Sequence, residues 1–221
     1  MISTKLFNMK HIFFSVILSI GLILGYSCNK EKLEVPESSI NDYPNYSQLA
    51  EGNYWVYERY ELDTNGNETA LGQIDTIFIE KDTLIESVRF FKRVTHNFDG
   101  SKNSAFLRDS LSCLVSHQGV IIFSSSIFNE YLFIDTTGVE YDIKSRMIDK
   151  DLQVTVPAGT YITSCFQNIF DYKPPLHPDE KQFVFNSRYS ENVGLVYQEI
   201  YQSTVSYTIG IRKLIDFHIE E

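Results

Sequence analysis

The sequence predicts an all-β domain built on an antiparallel sheet, and three observations predict it. From about Tyr46 onward the chain is written in short runs rich in Val, Ile, Thr, Tyr and Phe, broken by Gly, Asn, Asp and Pro, which is the composition of strands and turns. Several runs alternate apolar and polar residues with period two, the pattern of a strand with one buried face. No long window repeats with period 3.6, so helix is limited to short turns near Tyr46–Gly52 or around Ile127–Leu132. Strands that follow one another without helical crossovers pair antiparallel.

Taken in order, the elements begin with an export signal. Lys5 and Lys10 precede the apolar run Ile12 to Gly25, followed by Tyr26, Ser27 and Cys28. Fourteen residues fall short of the roughly 20 that span a bilayer and suit the apolar core of a signal peptide. Leu24-Gly25-Tyr26-Ser27-Cys28 resembles the lipobox of bacterial lipoproteins. Tyr26 departs from the commonest pattern, as the looser boxes of Bacteroidetes do. The resemblance implies cleavage before Cys28 and acylation of its thiol; an ordinary signal peptide cut nearby is the alternative. Residues 28–46 are polar, contain two prolines and lack periodicity, which describes a tether. The expected organisation is a lipoprotein signal at 1–27, a tether at 28–46 and one β domain at 47–221.

The chain carries 19 basic and 29 acidic side chains, a net charge of −10. Loss of residues 1–27, with their two lysines, leaves 194 residues at −12. That balance argues against nucleic acid, which selects a basic surface. It also leaves membrane attachment to acyl chains on Cys28, since anionic headgroups repel an acidic domain.

Within the domain, Asn65-Gly66 and Asp99-Gly100 mark turns. Leu107, Leu111, Cys113 and Val115 alternate with serines, and Val139, Tyr141 and Ile143 with charged residues. Val205, Tyr207, Ile209, Ile211, Ile215, Phe217 and Ile219 share the odd positions of the last segment, which predicts one long strand with that face buried. Three motifs, Gly52-Asn53-Tyr54-Trp55-Val56-Tyr57, Val156-Pro157-Ala158-Gly159-Thr160-Tyr161 and Asn192-Val193-Gly194-Leu195-Val196, resemble those of uncharacterised Bacteroidetes lipoproteins in order and spacing. The resemblance implies a strongly curved sheet, a half-barrel or open barrel akin to lipoprotein-carrier proteins, and brings no catalytic residues with it.

No catalytic or metal signature is present locally. His96, His117, His177 and His218 form no H-x-H or HExxH pattern, and the His177-Pro178-Asp179-Glu180 loop reads as solvated. Asp63-Thr64-Asn65-Gly66-Asn67 fails the EF-hand pattern and reads as a turn. No G-x-S-x-G elbow occurs, and the glycines are too dispersed for a nucleotide loop. Asp149 and Asp151 read as solvated charge beside a turn. Four triplets, at Asp75, Asp82, Asp109 and Asp135, resemble the Asp-Ser/Thr-apolar pattern of Bacteroidetes O-glycosylation. Cys113 and Cys165 could bridge in an oxidising compartment, whereas their mid-strand positions favour free thiols.

The aromatics admit two readings. Trp55, Tyr57, Tyr141 and Phe166, with Phe90, Phe91, Tyr161, Phe170 and Tyr197, either line a ligand cavity or fill the core; filling is the plainer account. The expected function is that of a cell-envelope lipoprotein of the outer membrane, without catalytic residues, cofactor or metal, that binds an apolar small ligand or an envelope protein or has a structural role. A carrier would enclose a few hundred cubic ångströms; an interior filled by its own side chains would remove that version. A hydrolase-like site assembled across strands is the alternative.

Overall fold

The computed structural model of the chain describes residues 43–63, 65–173, 182–202 and 208–220. The signal, Cys28, most of the tether, His177 with its loop, Val205 and Tyr207 lie outside these residues. Those described contain strands and turns and no helix.

The strands, in chain order, are β1 (Tyr54–Leu62), β2 (Glu68–Ile85), β3 (Val88–His96), β4 (Lys102–Ser110), β5 (Cys113–Ser116), β6 (Ile121–Ser124), β7 (Tyr131–Asp135), β8 (Tyr141–Val156), β9 (Gly159–Tyr172), β10 (Gln182–Ser190), β11 (Gly194–Gln202) and β12 (Thr208–His218). They form one sheet in the order β6-β5-β4-β3-β2-β1-β12-β11-β10-β9-β8-β7, antiparallel throughout. Apart from β1 with β12, each pair is consecutive in the chain. The sheet curls into a nearly closed barrel whose open seam lies between β6 and β7, so the expectation of a strongly curved antiparallel sheet holds. The link between these edges is tied down locally. The buried Ser124 hydroxyl accepts from the amides of Ser126 and Ile127 at 3.2 and 3.1 Å, and the Asn129 amide donates to the Met147 carbonyl at 2.9 Å.

Local chemistry explains the tight connections. Gly66 takes φ +80° beneath Asp63, whose Oδ1 accepts from the amides of Asn65 and Asn67 and whose Oδ2 accepts from Asn67 Nδ2, each at 2.8 Å. Both oxygens are committed to the turn, and the hydrogen bonds from Asn67 lower the Asp63 pKa. The β8–β9 hairpin turns at Pro157-Ala158, and Gly159 follows at φ +149°. Outside the left-handed region tolerated by other residues, this geometry selects glycine.

Three period-two readings are corrected. Leu107 to Val115 is not one strand: Leu111 stands at φ +56°, 80% exposed, in the turn that pairs Ser110 with Cys113. The last strand is broken in phase, because Val56 pairs with Asp216 and Tyr57 with Leu214, leaving Ile215 as a bulge. Leu214, the apparent exception to the odd face, is thereby fully buried in the core. Val139 precedes its strand and is exposed.

Cys113 and Cys165 are free thiols. Cys165 is fully buried, and burial pushes its pKa up to about 11. Thiol titration of a Cys28→Ala chain, denatured without reductant, should find both. In the folded chain the half-buried Cys113 should react first and Cys165 only as fast as the barrel opens. Finding no reactive thiol would require a disulfide.

Candidate functional site

The inner face of the barrel follows from register. Trp55, Tyr57 and Arg59 occupy alternate positions of β1. Trp55 pairs with Ile77 and Tyr57 with Asp75 on β2, while on β12 Trp55 pairs with Phe217, Tyr57 with Leu214 and Arg59 with Arg212. Ile79 pairs with Arg93 of β3. One face therefore carries both the apolar core and a charged group in which two of the chain's seven arginines hold one carboxylate, with a third, Arg93, nearby on the cavity wall.

Asp75 is fully buried. Its Oδ2 accepts from Arg59 Nε at 2.7 Å and lies 3.6 Å from Arg212 Nη1; its Oδ1 accepts from the Phe98 amide at 3.0 Å. Arg59 lies over the Phe98 ring at 4.5 Å and Arg212 over the Tyr57 ring at 5.1 Å. The Nε of Arg212 is buried without a hydrogen-bond partner. Burial lowers the Arg212 pKa, opposed by Tyr57 and Asp75 and reinforced by the charges of Arg93 and Arg59. Burial raises Tyr57 in the opposite sense. Its hydroxyl is fixed by donation to the Leu195 carbonyl at 2.8 Å.

Beside this group lies a cavity of about 30 Å³ lined by Trp55, Tyr57, Arg93, Tyr189 and aliphatic side chains, with Tyr46, Ser47 and Leu49 also on its wall. One ordered water needs roughly 10–15 Å³, so the space suits a couple of small atoms and no acyl chain. Of the four residues expected to line a cavity, Trp55 and Tyr57 do. Phe166 is buried in the same core. Tyr141 instead stands in an aromatic group with Phe170 and Tyr172, at centroid distances of 5.3 and 6.0 Å. Ile79, Met147, Val196 and Leu214 fill the core around this cavity.

The residues around the cavity are anchored by the motifs read from sequence. Trp55 donates to the Val193 carbonyl at 2.6 Å and packs over Gly194, whose φ is +94° and where a Cβ would stand 3.4 Å from the indole nitrogen. Asn53 donates to the Gln48 carbonyl and accepts from the Glu220 amide, both at 2.8 Å. Residues 45–49 form a strap. Asn45 Oδ1 accepts from the Gln48 amide at 3.0 Å, and the Asn45 carbonyl accepts from the Asn192 amide at 2.8 Å. Tyr46 packs on Phe123, which packs on Tyr189, at 4.9 and 4.7 Å. Ser47 donates to Asp109 Oδ2 at 2.8 Å, and desolvation pushes that carboxyl up.

Other expected features remain apart from this site. His96, His117 and His218 make ring contacts with Phe78, Phe106 and Tyr54. Among the described residues no group of three His, Cys, Asp or Glu side chains has metal-binding geometry. Asp149 pairs with Arg188 at 3.2 Å. The triplet at Asp75 lies in the barrel wall, with Asp75 and Ile77 buried, whereas those at Asp82 and Asp109 end on exposed Leu84 and Leu111.

Neither a family model nor a curated protein matches the chain. Among solved structures it is similar to a protein of Parabacteroides distasonis described as a "putative lipoprotein", 16% identical over 80% of this chain and 100% of that one, with a TM-score of 0.50. It also matches a "putative exported protein with YmcC-like fold" of Bacteroides fragilis, 12% identical over 79% of this chain and 99% of that one, with a TM-score of 0.47. At 16% identity the first likeness shows a shared fold and nothing of function.

Proposed function

We propose that this chain is an outer-membrane lipoprotein, anchored by acyl chains on Cys28, whose barrel acts by binding or as a structural module and not by catalysis. The observation that carries this reading is the sequence Leu24-Gly25-Tyr26-Ser27-Cys28 at the end of an apolar run too short to span. The lipoprotein description of the Parabacteroides protein that shares the fold supports it. The small cavity favours recognition of a compact group, or of a partner by the outer surface, over transport of a lipid in the core. The buried Asp75 carboxylate has both oxygens engaged by Arg59, Arg212 and the Phe98 amide, which suits a counter-ion.

Metabolic labelling with a radioactive fatty acid tests the anchor. The unmutated chain should incorporate label and sediment with outer membranes. Cys28→Ala should incorporate none, and should either retain its signal or be released after cutting elsewhere. Each buried CH₂ of an acyl chain contributes about 0.8 kcal/mol, so the change in partitioning should be close to complete. Mature protein that begins at another residue, carries no lipid and stays firmly bound would overturn the reading.

A further inference from the structure

The charged group inside the barrel is out of balance. A chain of net charge −10 directs Arg59, Arg93 and Arg212 to its inner face and sets one buried carboxylate, Asp75, among them. Asp75 satisfies Arg59 at 2.7 Å and reaches Arg212 only at 3.6 Å. The exposed Asp99 feels Arg59 from outside, although its main partner is Ser101. Arg93 has no carboxylate partner among the described residues. It lines the cavity and lies beside the Tyr189 hydroxyl, a neutral group. Arg212, behind Tyr57, keeps a buried Nε with nothing to donate to. Removing a guanidinium from water without a counter-charge is costly, and native interiors pair or solvate such groups. The half-buried Arg93 on the cavity wall and the spare donor of Arg212 give this inner face more positive charge than Asp75 alone balances.

We propose that the barrel binds a small anion, a halide or a carboxylate group, in the cavity against Arg93, under residues 46–49. Arg93 supplies forked charge-assisted donors, and Arg212 behind the Tyr57 ring adds to the positive field. Trp55, Ile77, Ile79 and Leu107 around the same space keep water scarce and so strengthen the attraction. The volume of about 30 Å³ limits what lies wholly inside to very few atoms. A carboxylate could come from a free small acid or from the end of a longer apolar acid whose tail displaces the strap; the chemistry at Arg93 is the same. This inference names the ligand class for the binding role proposed above, and is independent of the anchor: acylation of Cys28 can be demonstrated whether or not an anion binds.

The direct test is crystallographic. Crystals of the purified chain soaked in bromide should show an anomalous peak within hydrogen-bonding range of the Arg93 guanidinium. In solution, bromide and acetate at constant ionic strength should raise Tm, saturating with concentration as site binding does. Arg93→Gln should weaken the effect roughly ten- to a hundredfold in anion concentration, the worth of one charge-assisted contact, while Arg93→Lys, which keeps the charge, should retain part of it. Octanoate acting at far lower concentration than acetate would assign the carboxylate to a longer apolar acid; equal potency would assign it to a free small anion. A cavity without bromide, or an anion response identical in Arg93→Gln, overturns the proposal. The bromide map of the unmutated chain decides alone if Arg93→Gln fails to fold.

Discussion

Asp75→Ala should destabilise the barrel by about 3–5 kcal/mol, the range for stripping one partner from a buried charge pair. The substitution removes the nearest counter-charge of Arg59 and Arg212 together and leaves the Phe98 amide without its acceptor. Arg59→Ala should cost less, because Asp75 then retains Arg212 and the Phe98 amide. Urea unfolding followed by the fluorescence of Trp55, the only tryptophan in the chain, measures both variants directly. Equal losses would mean that Arg59 alone makes Asp75 tolerable inside the barrel and that Arg212 contributes nothing to it.

Trp55→Ala should cost a similar amount, about 3–5 kcal/mol, from lost burial and the cavity left behind. Trp55 is only 4% exposed and joins β1 to the Val193-Gly194 turn at the head of β11, so its loss opens the wall next to the cavity. Trp55→Phe separates the contributions. It keeps an aromatic ring over Gly194 and removes the donor to the Val193 carbonyl, which by itself should cost about 1–3 kcal/mol. Circular dichroism replaces fluorescence as the probe. A Phe variant as unstable as the Ala variant would place the whole effect in the hydrogen bond.

Much of the fold was legible because a strand's period is short and local. The turns at Asn65-Gly66 and Pro157-Ala158-Gly159 and the antiparallel course of the chain follow from residues a few positions apart. The reading failed where one residue shifts the phase: Ile215 bulges and exchanges the two faces of β12, and Leu111 turns an apparently continuous alternation into a hairpin. The charged site was not legible, since Arg59, Asp75, Arg93 and Arg212 come from four strands and meet only through register. Three of them nonetheless carried a local sign. Arg59 is in phase with Trp55 and Tyr57, Asp75 with Ile77 and Ile79, and Arg93 with Phe91. A charged residue on the apolar phase of a strand is either at a bulge or drawn inward to a partner, and here Arg59, at a register shift of β1 against β2, meets the buried Asp75. Aromatics on both faces of Tyr54–Leu62 obscured that sign in β1, and in β2 the triplet at Asp75 drew attention to modification chemistry.

The pairing of β1 with β12 joins residues as far apart as Tyr54 and His218, while every other ladder joins neighbours in the chain. As the polypeptide emerges from a ribosome or a translocation pore, hairpins from β2 to β11 can form as soon as their second strand appears. The first strand can pair early with β2, but its other edge must wait, with Trp55 and Tyr57 sheltered on one side only, until β12 is free. Closing so long a loop is slow, and an unpaired strand edge beside an apolar face is open to aggregation while it waits. Loss of β12 would therefore remove more than one strand's worth of contacts: it would leave the molecule permanently at the stage where chaperones, and not its own barrel, must cover the open edges of β1 and β11.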